Sequence, residues 1–405
     1  MTFELAHVDV RDVVFGSQTV VRDATLRIDR AALTEELQRI DGLARVEIHL
    51  AKPGEATRLV CVKDVVEPRI EQGAQRMHCL RGVAIATCGQ IVGFQEGIVD
   101  MSGPGAPYSP FSGLQLVVVE ADPVPDLEPH RHEAALREAG LTAAHWLARA
   151  TVGTPPDEVE RFALDPADPA LPRVGYVYLL LSQGLLHDTW VEGRNACDGL
   201  PRSVDPTLPL RGGIVSGNCV SACDKNTTWH HQNNPVIREL FRRHGHELAF
   251  AGCVLTNEPV RLAGKQASAA RAAELVRSLG VTGAILSKEG FGNPDADLMM
   301  LLRALEGAGV RSVAITDEFA GRDGGSQSLA DAAALADAIV SVGNANATVA
   351  LPPMPRTLGP WERVPRLAGA GEASVRSDGS IEVELQALVG ATNQLGLTRL
   401  SCRGV

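Results

Sequence analysis

The 405-residue chain has no long apolar run, no basic stripe, no nucleotide fingerprint and no Cys-x-x-Cys pair. Each absence removes a class of function. No stretch reaches membrane-spanning length. The opening residues, Met1-Thr2-Phe3-Glu4-Leu5-Ala6-His7-Val8-Asp9, contain no apolar core of signal-peptide length, so a cytoplasmic protein is expected, without membrane association. The formal net charge of −11 is spread along the chain, which argues against nucleic acid as a partner. Neither a Gly-x-Gly-x-x-Gly after a strand nor a Walker loop is present, and Asp323-Gly324-Gly325-Ser326 reads as a turn. Cys61, Cys79, Cys88, Cys197, Cys219, Cys223, Cys253 and Cys402 are scattered, as expected of reduced thiols, some of them functional.

What is present is an ordinary globular composition, 45% apolar and 21% charged, with length for two or three domains. Residues 1 to about 125 read as mostly strand, with a short helix over Ala32–Arg39. The Gly- and Pro-rich run from Gln95 to Phe111 predicts an ordered irregular loop, either functional or a packed crossover. Pro129 to Ala150 is helical, and His130-x-His132 near its start does not share a helix face as a metal pair would. Pro155 to Pro172 is a proline- and acid-rich linker. From Val174 onward strands and helices alternate, including a helix over Leu329–Asp337. The fold expected is α/β: a largely parallel, doubly wound sheet in the C-terminal two-thirds behind a β-rich N-terminal domain. The expected divisions are 1–125, 126–171 and 172–405.

In such sheets ligands bind beyond the carboxyl ends of the strands. The strand ends here carry Asn257-Glu258, Lys288-Glu289, Asn293, Asp317-Glu318 and Asn344, all polar. Lys288 is a candidate partner for a substrate carboxylate, and Asp317 or Glu318 for an amine. His187, His231 and Asn293 complete the candidate substrate-binding set. Against this, Asn and Asp at such positions also serve as helix N-caps, the preferred reading for Asp295. His187-Asp188 are neighbours that seldom point at one another, so a structural or substrate-contacting role is preferred over a catalytic pair.

One stretch concentrates reactive side chains: Gly213 through Asn226, followed by Thr227-Thr228-Trp229-His230-His231-Gln232-Asn233-Asn234 and Pro235. A thiolate at Cys219 lies beside the carbonyl of Asn218, and Gly217 offers backbone angles that would hold the Asn218–Cys219 peptide strained. Attack would move the Asn218 acyl group from nitrogen to sulfur. Elimination would free the first chain, and hydrolysis would leave a pyruvoyl ketone at residue 219, an electron sink of the kind usually supplied by a cofactor. The structural alternative is a small buried cysteine at a strand end. A zinc site from Cys219, Cys223, His230 and His231 matches the usual ligand spacing poorly, and so does a Cys219–Cys223 redox pair. No metal is expected.

These residues resemble a known family. Gly93 to Gly105, Ser182 to Thr189, Ile214 to Asn226 with Asn233 to Ile237, and Glu289 to Asp295 with Thr316 to Gly324 are similar to the proprotein subunit of component B of the glycine, sarcosine and betaine reductases. The resemblance implies processing at Asn218–Cys219 into chains 1–218 and 219–405, with a pyruvoyl group derived from Cys219 as cofactor. It also implies an oxidoreductase subunit that is inactive alone and works in a hetero-oligomer. Its carbonyl would hold a small amine substrate as a Schiff base. A partner subunit bearing selenocysteine or cysteine would cleave the C–N bond, and a downstream carrier would take the selenoether. Residues 227–231 adjoin the reactive centre, and substrate identity is open there. The competing expectation is an uncleaved scaffold or substrate-binding subunit of a related reductase acting on another nitrogen compound. D-Proline reductase proproteins are a more distant match.

Overall fold

A computed structural model describes residues 2–183, 188–217, 220–326, 333, 336 and 338–398. His187, Asn218 and Cys219 lie outside the described residues, as does most of the helix expected over 329–337.

The N-terminal part is strand-rich, and later segments complete its sheets. One sheet runs Glu158–Ala163, Thr2–Asp9, Arg76–Arg81, Arg69–Glu71. Its first strand comes from the stretch expected to be a linker. A second sheet runs Gly97–Asp100, Thr57–Val66, Val83–Gly89, Gln115–Pro123, Leu43–Ala51, and Arg356–Leu358 joins it beside Thr57–Val66. Gly97–Asp100 falls inside the expected irregular loop, and its backbone groups pair instead with Thr57–Val66. The long helix Pro129–Ala148 lays Leu136, Ala139, Ala143 and Leu147 on Ile48, Ile85, Val117 and Val119. Every residue of Thr57–Val66 is buried, including Arg58, Lys63 and Asp64. A register shift between Val62 and Asp64, with Cys61 at φ 54°, marks a bulge in this strand.

The C-terminal sheet positions the chemistry. Its strands are β1 (Arg173–Leu181), β2 (Ala249–Glu258), β3 (Gly283–Ser287), β4 (Arg311–Glu318) and β5 (Ala338–Asn344). They pair in the order β2-β1-β3-β4-β5, all parallel, with Arg202–Val204 antiparallel along the outer edge of β2. Alternation along β1 sorts its side chains. Tyr176, Tyr178 and Leu180 enter one core, while Val177 and Leu179 enter another.

The helices are α1 (Thr228–Gln232), α2 (Pro235–Arg243), α3 (Leu262–Ser278) and α4 (Asn293–Glu306). The Val177 core is covered by α3 and α4. The Tyr176 core is covered by α2 and by Phe3, Leu5, Met77 and Cys79 of the first N-terminal sheet. The expected largely parallel, doubly wound sheet is met in its five parallel strands and differs in two respects. The sheet is mixed, because its edge strand is antiparallel. One face also packs on another sheet as well as a helix, since strands this apolar on both sides need cover that a short helix alone cannot give.

Among the described residues no helix is long and apolar enough to cross a membrane.

Candidate active site at the carboxyl ends of β1 and β3

The order β2-β1-β3 makes the gap between β1 and β3 the point where successive connections leave in opposite directions, and crevices form there. The chain on both sides of residues 218–219 is drawn to it. On the upstream side, Ile214–Val215 pairs antiparallel with Trp190–Val191. Gly217 is pressed so closely that a Cβ there would stand 2.3 Å from the Asp188 carbonyl oxygen and 2.9 Å from the Trp190 indole nitrogen. Its φ lies outside the left-handed region, so the reason expected for this glycine is corrected: space, not backbone angle, demands glycine at 217, while the Asn218–Cys219 peptide lies outside the described residues. On the downstream side, Val220 rests on Gly290, where a Cβ would stand 2.8 Å from Val220 Cγ1 and 3.7 Å from Leu181 Cδ1. Gly97 is equally close to Ala222, with 2.4 Å between the would-be Cβ and that methyl.

Backbone hydrogen bonds hold the downstream segment. Cys223 N–H donates to Gln386 O (3.2 Å), Gly390 N–H to Ala222 O (2.8 Å) and Thr392 N–H to Cys223 O (3.1 Å). Upstream, Ser216 N–H donates to Thr228 Oγ1 (3.0 Å), whose own proton goes to Asp64 Oδ2 (2.7 Å). Thr228 N–H donates to Asp64 Oδ1 (2.9 Å). The bulge in Thr57–Val66 thus ends in a carboxylate that fixes both the first turn of α1 and the approach to Gly217.

Two buried polar networks meet at Ser287–Gly290. In the first, Asn393 donates to Asn226 Oδ1, Asn226 Nδ2 donates to Tyr178 OH (2.8 Å), and Tyr178 OH faces His231 Nδ1 at 2.9 Å. Because the amide occupies the phenol's lone pair, the phenol proton goes to Nδ1 and the His231 proton sits on Nε2. Nε2 stands 3.4 Å from Glu289 Oε1 without a hydrogen bond to it. Glu289 Oε2 accepts from Leu181 N–H (2.9 Å) and Thr189 Oγ1 (2.5 Å).

In the second network, Lys288 Nζ meets Asp295 Oδ1 at 2.8 Å and Asp317 Oδ1 at 3.8 Å, and it donates to Gly290 O. Gln394 Nε2 donates to Asp317 Oδ1 (2.5 Å) and to Gly290 O (2.9 Å). Burial lowers the Lys288 pKa, but Asp295 and Asp317 outweigh it and hold the amine above its ordinary value. Burial, reinforced by Asp224, pushes the Asp317 carboxyl well above its ordinary range despite Lys288. Nearby, burial and then Lys63 lower Lys225 to about 7, and burial and then His231 lower His230 to about 3.

The residues singled out from sequence divide accordingly. Lys288 and Asp317 come together, yet both are fully buried and bound to protein groups. His231 belongs to the neighbouring network through Glu289. Glu318 lines a separate cleft of about 550 Å³ at the ends of β4 and β5, with Tyr108, Arg322, Asn344 and Thr392. Asn293 is exposed at the start of α4, where its amide donates to Gln183 Oε1 (2.8 Å). Asp295 is in the first turn of α4 rather than at its N-cap; it accepts from Gly292 N–H (3.3 Å) and pairs with Lys288. Cys223 is buried with its thiol donating to Asp224 Oδ1 (3.0 Å), and burial raises its pKa well above the ordinary value.

Sequence reading placed Asp224, Lys225, Asn226 and Glu289 in the reactive stretch or on the strand-end rim without an individual role, and it overlooked Tyr178 and the whole of 386–394 as site-forming residues. The available signal was the polar run Thr392-Asn393-Gln394 after apolar Leu388-Val389, with no surface helix to explain it.

The family model for glycine/sarcosine/betaine reductase component B subunits matches residues 1–403. Subunits alpha and beta of glycine reductase complex component B from Peptoclostridium acidaminophilum are 46% identical over 100% of both chains. From the same organism, sarcosine reductase complex component B subunit alpha is 42% identical over 100% of both chains. Betaine reductase complex component B subunit alpha is 34% identical over 96% of each. No solved structure matches the chain.

Proposed function

Because the chain belongs to the family of glycine/sarcosine/betaine reductase component B subunits, we propose that it is the substrate-specific subunit of such a reductase and that it cleaves itself between Asn218 and Cys219. The products are 1–218 and 219–405, the second beginning with a pyruvoyl group made from Cys219. The reaction is reductive cleavage of a C–N bond in a small amine substrate. A partner subunit supplies the selenol or thiol nucleophile, and a further carrier protein takes the product, in a cytoplasmic hetero-oligomer.

The observation that carries the reading is the convergence of both flanks of residues 218–219 on the gap between β1 and β3, with Gly217 against Asp188 and Trp190 and Val220 against Gly290. The surroundings suit a small carbonyl. Ser216 Oγ is buried just upstream of the cut with no hydrogen-bond partner, and a hydroxyl there can donate to a carbonyl oxygen. When present, the pyruvoyl group supplies an electrophilic ketone for the amine. The chain's own residues do the rest. Asp64 and Thr228 hold the upstream flank, and residues 386–392 hold the downstream flank through backbone hydrogen bonds to Ala222 and Cys223. Asn226, Tyr178 and His231 form a buried line of hydrogen bonds, and Glu289 Oε1 stands 3.4 Å beyond His231 Nε2. Low dielectric around these groups strengthens every electrostatic contact to a bound amine.

Denatured intact mass decides the matter. Two fragments meeting at 218/219 are expected, with a hydrazide labelling only the second. Cys219→Ala should abolish cleavage and label together. A single full-length mass, persisting on co-expression with the partner subunit, would refute the reading in favour of an uncleaved substrate-binding subunit.

A further inference from the structure

The cleft of about 550 Å³ beyond the carboxyl ends of β4 and β5 lies where α/β sheets bind ligands. Four parts of the chain wall it, through Tyr108, through Glu318 and Arg322, through Asn344, and through Thr392. Its charged groups stand apart. Glu318 ends β4 half-buried, and its backbone carbonyl accepts from Ala345 N–H (2.8 Å). Its carboxylate makes no hydrogen bond or ion pair among the described residues. Arg322 donates from Nε to Glu384 Oε1 (2.9 Å), and its side chain is 71% exposed. The other guanidinium nitrogens make no bond to the protein. Arg322 and Glu318 therefore line one cleft with opposite charges and do not pair across it.

The mounting of Arg322 is fixed. Asn344 Nδ2 donates to Gly321 O (2.8 Å), and Asn344 Oδ1 accepts from Ala320 N–H (3.0 Å). Asn346 Oδ1 accepts from Gly321 N–H (3.1 Å), so the turn presenting Arg322 is tied to the end of β5. Glu384 Oε2 accepts from Asn346 Nδ2 (3.0 Å) and Gln386 Nε2 (2.7 Å). Burial would raise the Glu384 carboxyl, but Asn346, Arg322 and Gln386 outweigh it and hold it below its ordinary range. The cleft is also joined to the segment after residue 219. Ser221 Oγ donates to Gln386 Oε1 (3.3 Å), and Thr392 Oγ1 donates to Asp224 Oδ1 (3.1 Å).

We propose that this cleft is a binding site for a small zwitterion whose carboxylate and ammonium are a few atoms apart, with Arg322 holding the carboxylate and Glu318 the ammonium. A cation and an anion that face one cavity unpaired match a ligand carrying both signs. The free side of a guanidinium fits a planar carboxylate, and the Glu318 carboxylate accepts from an ammonium without giving up any bond in the protein. At about 30 Å³ per water-sized group, the cleft also admits methyl groups on the nitrogen. The proposal rests on the function argued above only in making this zwitterion the substrate.

The test is a ligand-observed NMR titration of the full chain, wild type and Cys219→Ala. The probes are glycine, N-methylglycine and trimethylglycine, with acetate and methylamine as single-charge fragments. At least one zwitterion should bind saturably to both chains, and each fragment about tenfold more weakly or worse, since it leaves one charged wall unmet. Glu318→Gln breaks no bond in the protein and should weaken the zwitterion about tenfold. Arg322→Lys keeps a cation for Glu384 but loses the fork, and it should weaken binding less than Arg322→Gln. Should Arg322→Gln fail to fold, Glu318→Gln and Arg322→Lys still decide. No saturable zwitterion binding, fragments that bind as tightly, or wild-type affinity in Glu318→Gln would each overturn the proposal. A chain that binds the zwitterion yet keeps one full-length mass beside its partner subunit would overturn the function and support the cleft. A chain that cleaves and does not bind would overturn the cleft alone.

Discussion

Replacing Tyr178 by Phe removes one oxygen and keeps the ring that packs on Tyr176 at 5.7 Å and His231 at 5.6 Å. The hydroxyl serves two buried partners, Asn226 Nδ2 at 2.8 Å and His231 Nδ1 at 2.9 Å. Both lie in fully buried residues with no route to water. Stranding a buried polar group costs about 1–3 kcal/mol, so two cost about 2–6 kcal/mol. Little of this is recovered by relaxation, because Asn226 Oδ1 is held by Asn393 and His231 Nε2 faces Glu289. Urea denaturation followed by fluorescence measures it. At a typical slope of about 1–3 kcal/mol per molar, the midpoint should drop by at least about 0.7 M. Asn226 lies in the segment just after residue 219, so the proposed cleavage should slow as well. A Tyr178→Phe midpoint within about 0.3 M of wild type would refute the claim that the two bonds are made and cannot be replaced.

Two further outcomes follow from the same geometry. Gly217→Ala places a methyl 2.3 Å from the Asp188 carbonyl, so the chain before residue 218 must shift; cleavage, read on a denaturing gel, should fall more than tenfold while thermal stability changes little, and normal cleavage would show the close approach to be dispensable. Lys225, lowered to about 7 by burial and then by Lys63, is neutral in the folded protein at pH values where the unfolded chain is still protonated. The unfolded state then binds more protons, so this residue makes stability rise with pH from about 7 to its unfolded value of 10.5. Lys225→Met should remove that rise in melts at mildly and strongly alkaline pH, and an unchanged slope would count against the assignment.

The elements of the C-terminal sheet were legible because β1 alternates Tyr176, Val177, Tyr178, Leu179 and Leu180 between two cores, and such alternation needs only local chemistry. Gly97–Asp100 was not legible as a strand, since its pairing partner lies at Thr57–Val66 and only distance in the fold supplies the hydrogen bonds. Lys288 and Asp317 were legible as strand-end residues destined for one rim. Their burial and mutual compensation were not, because desolvation depends on everything packed around a group.

By itself the sequence determined the family-like blocks, the Asn218–Cys219 dipeptide and the parallel strands of the C-terminal sheet, all carried by short-range identity and period. Tertiary structure alone decided that Gly217 is required for space rather than angle, that Thr392 meets Asp224, and that residues 386–392 pair with the segment after residue 219. Each of these joins parts of the chain far apart in sequence. Contact, excluded volume and the loss of water exist only once those parts are packed together.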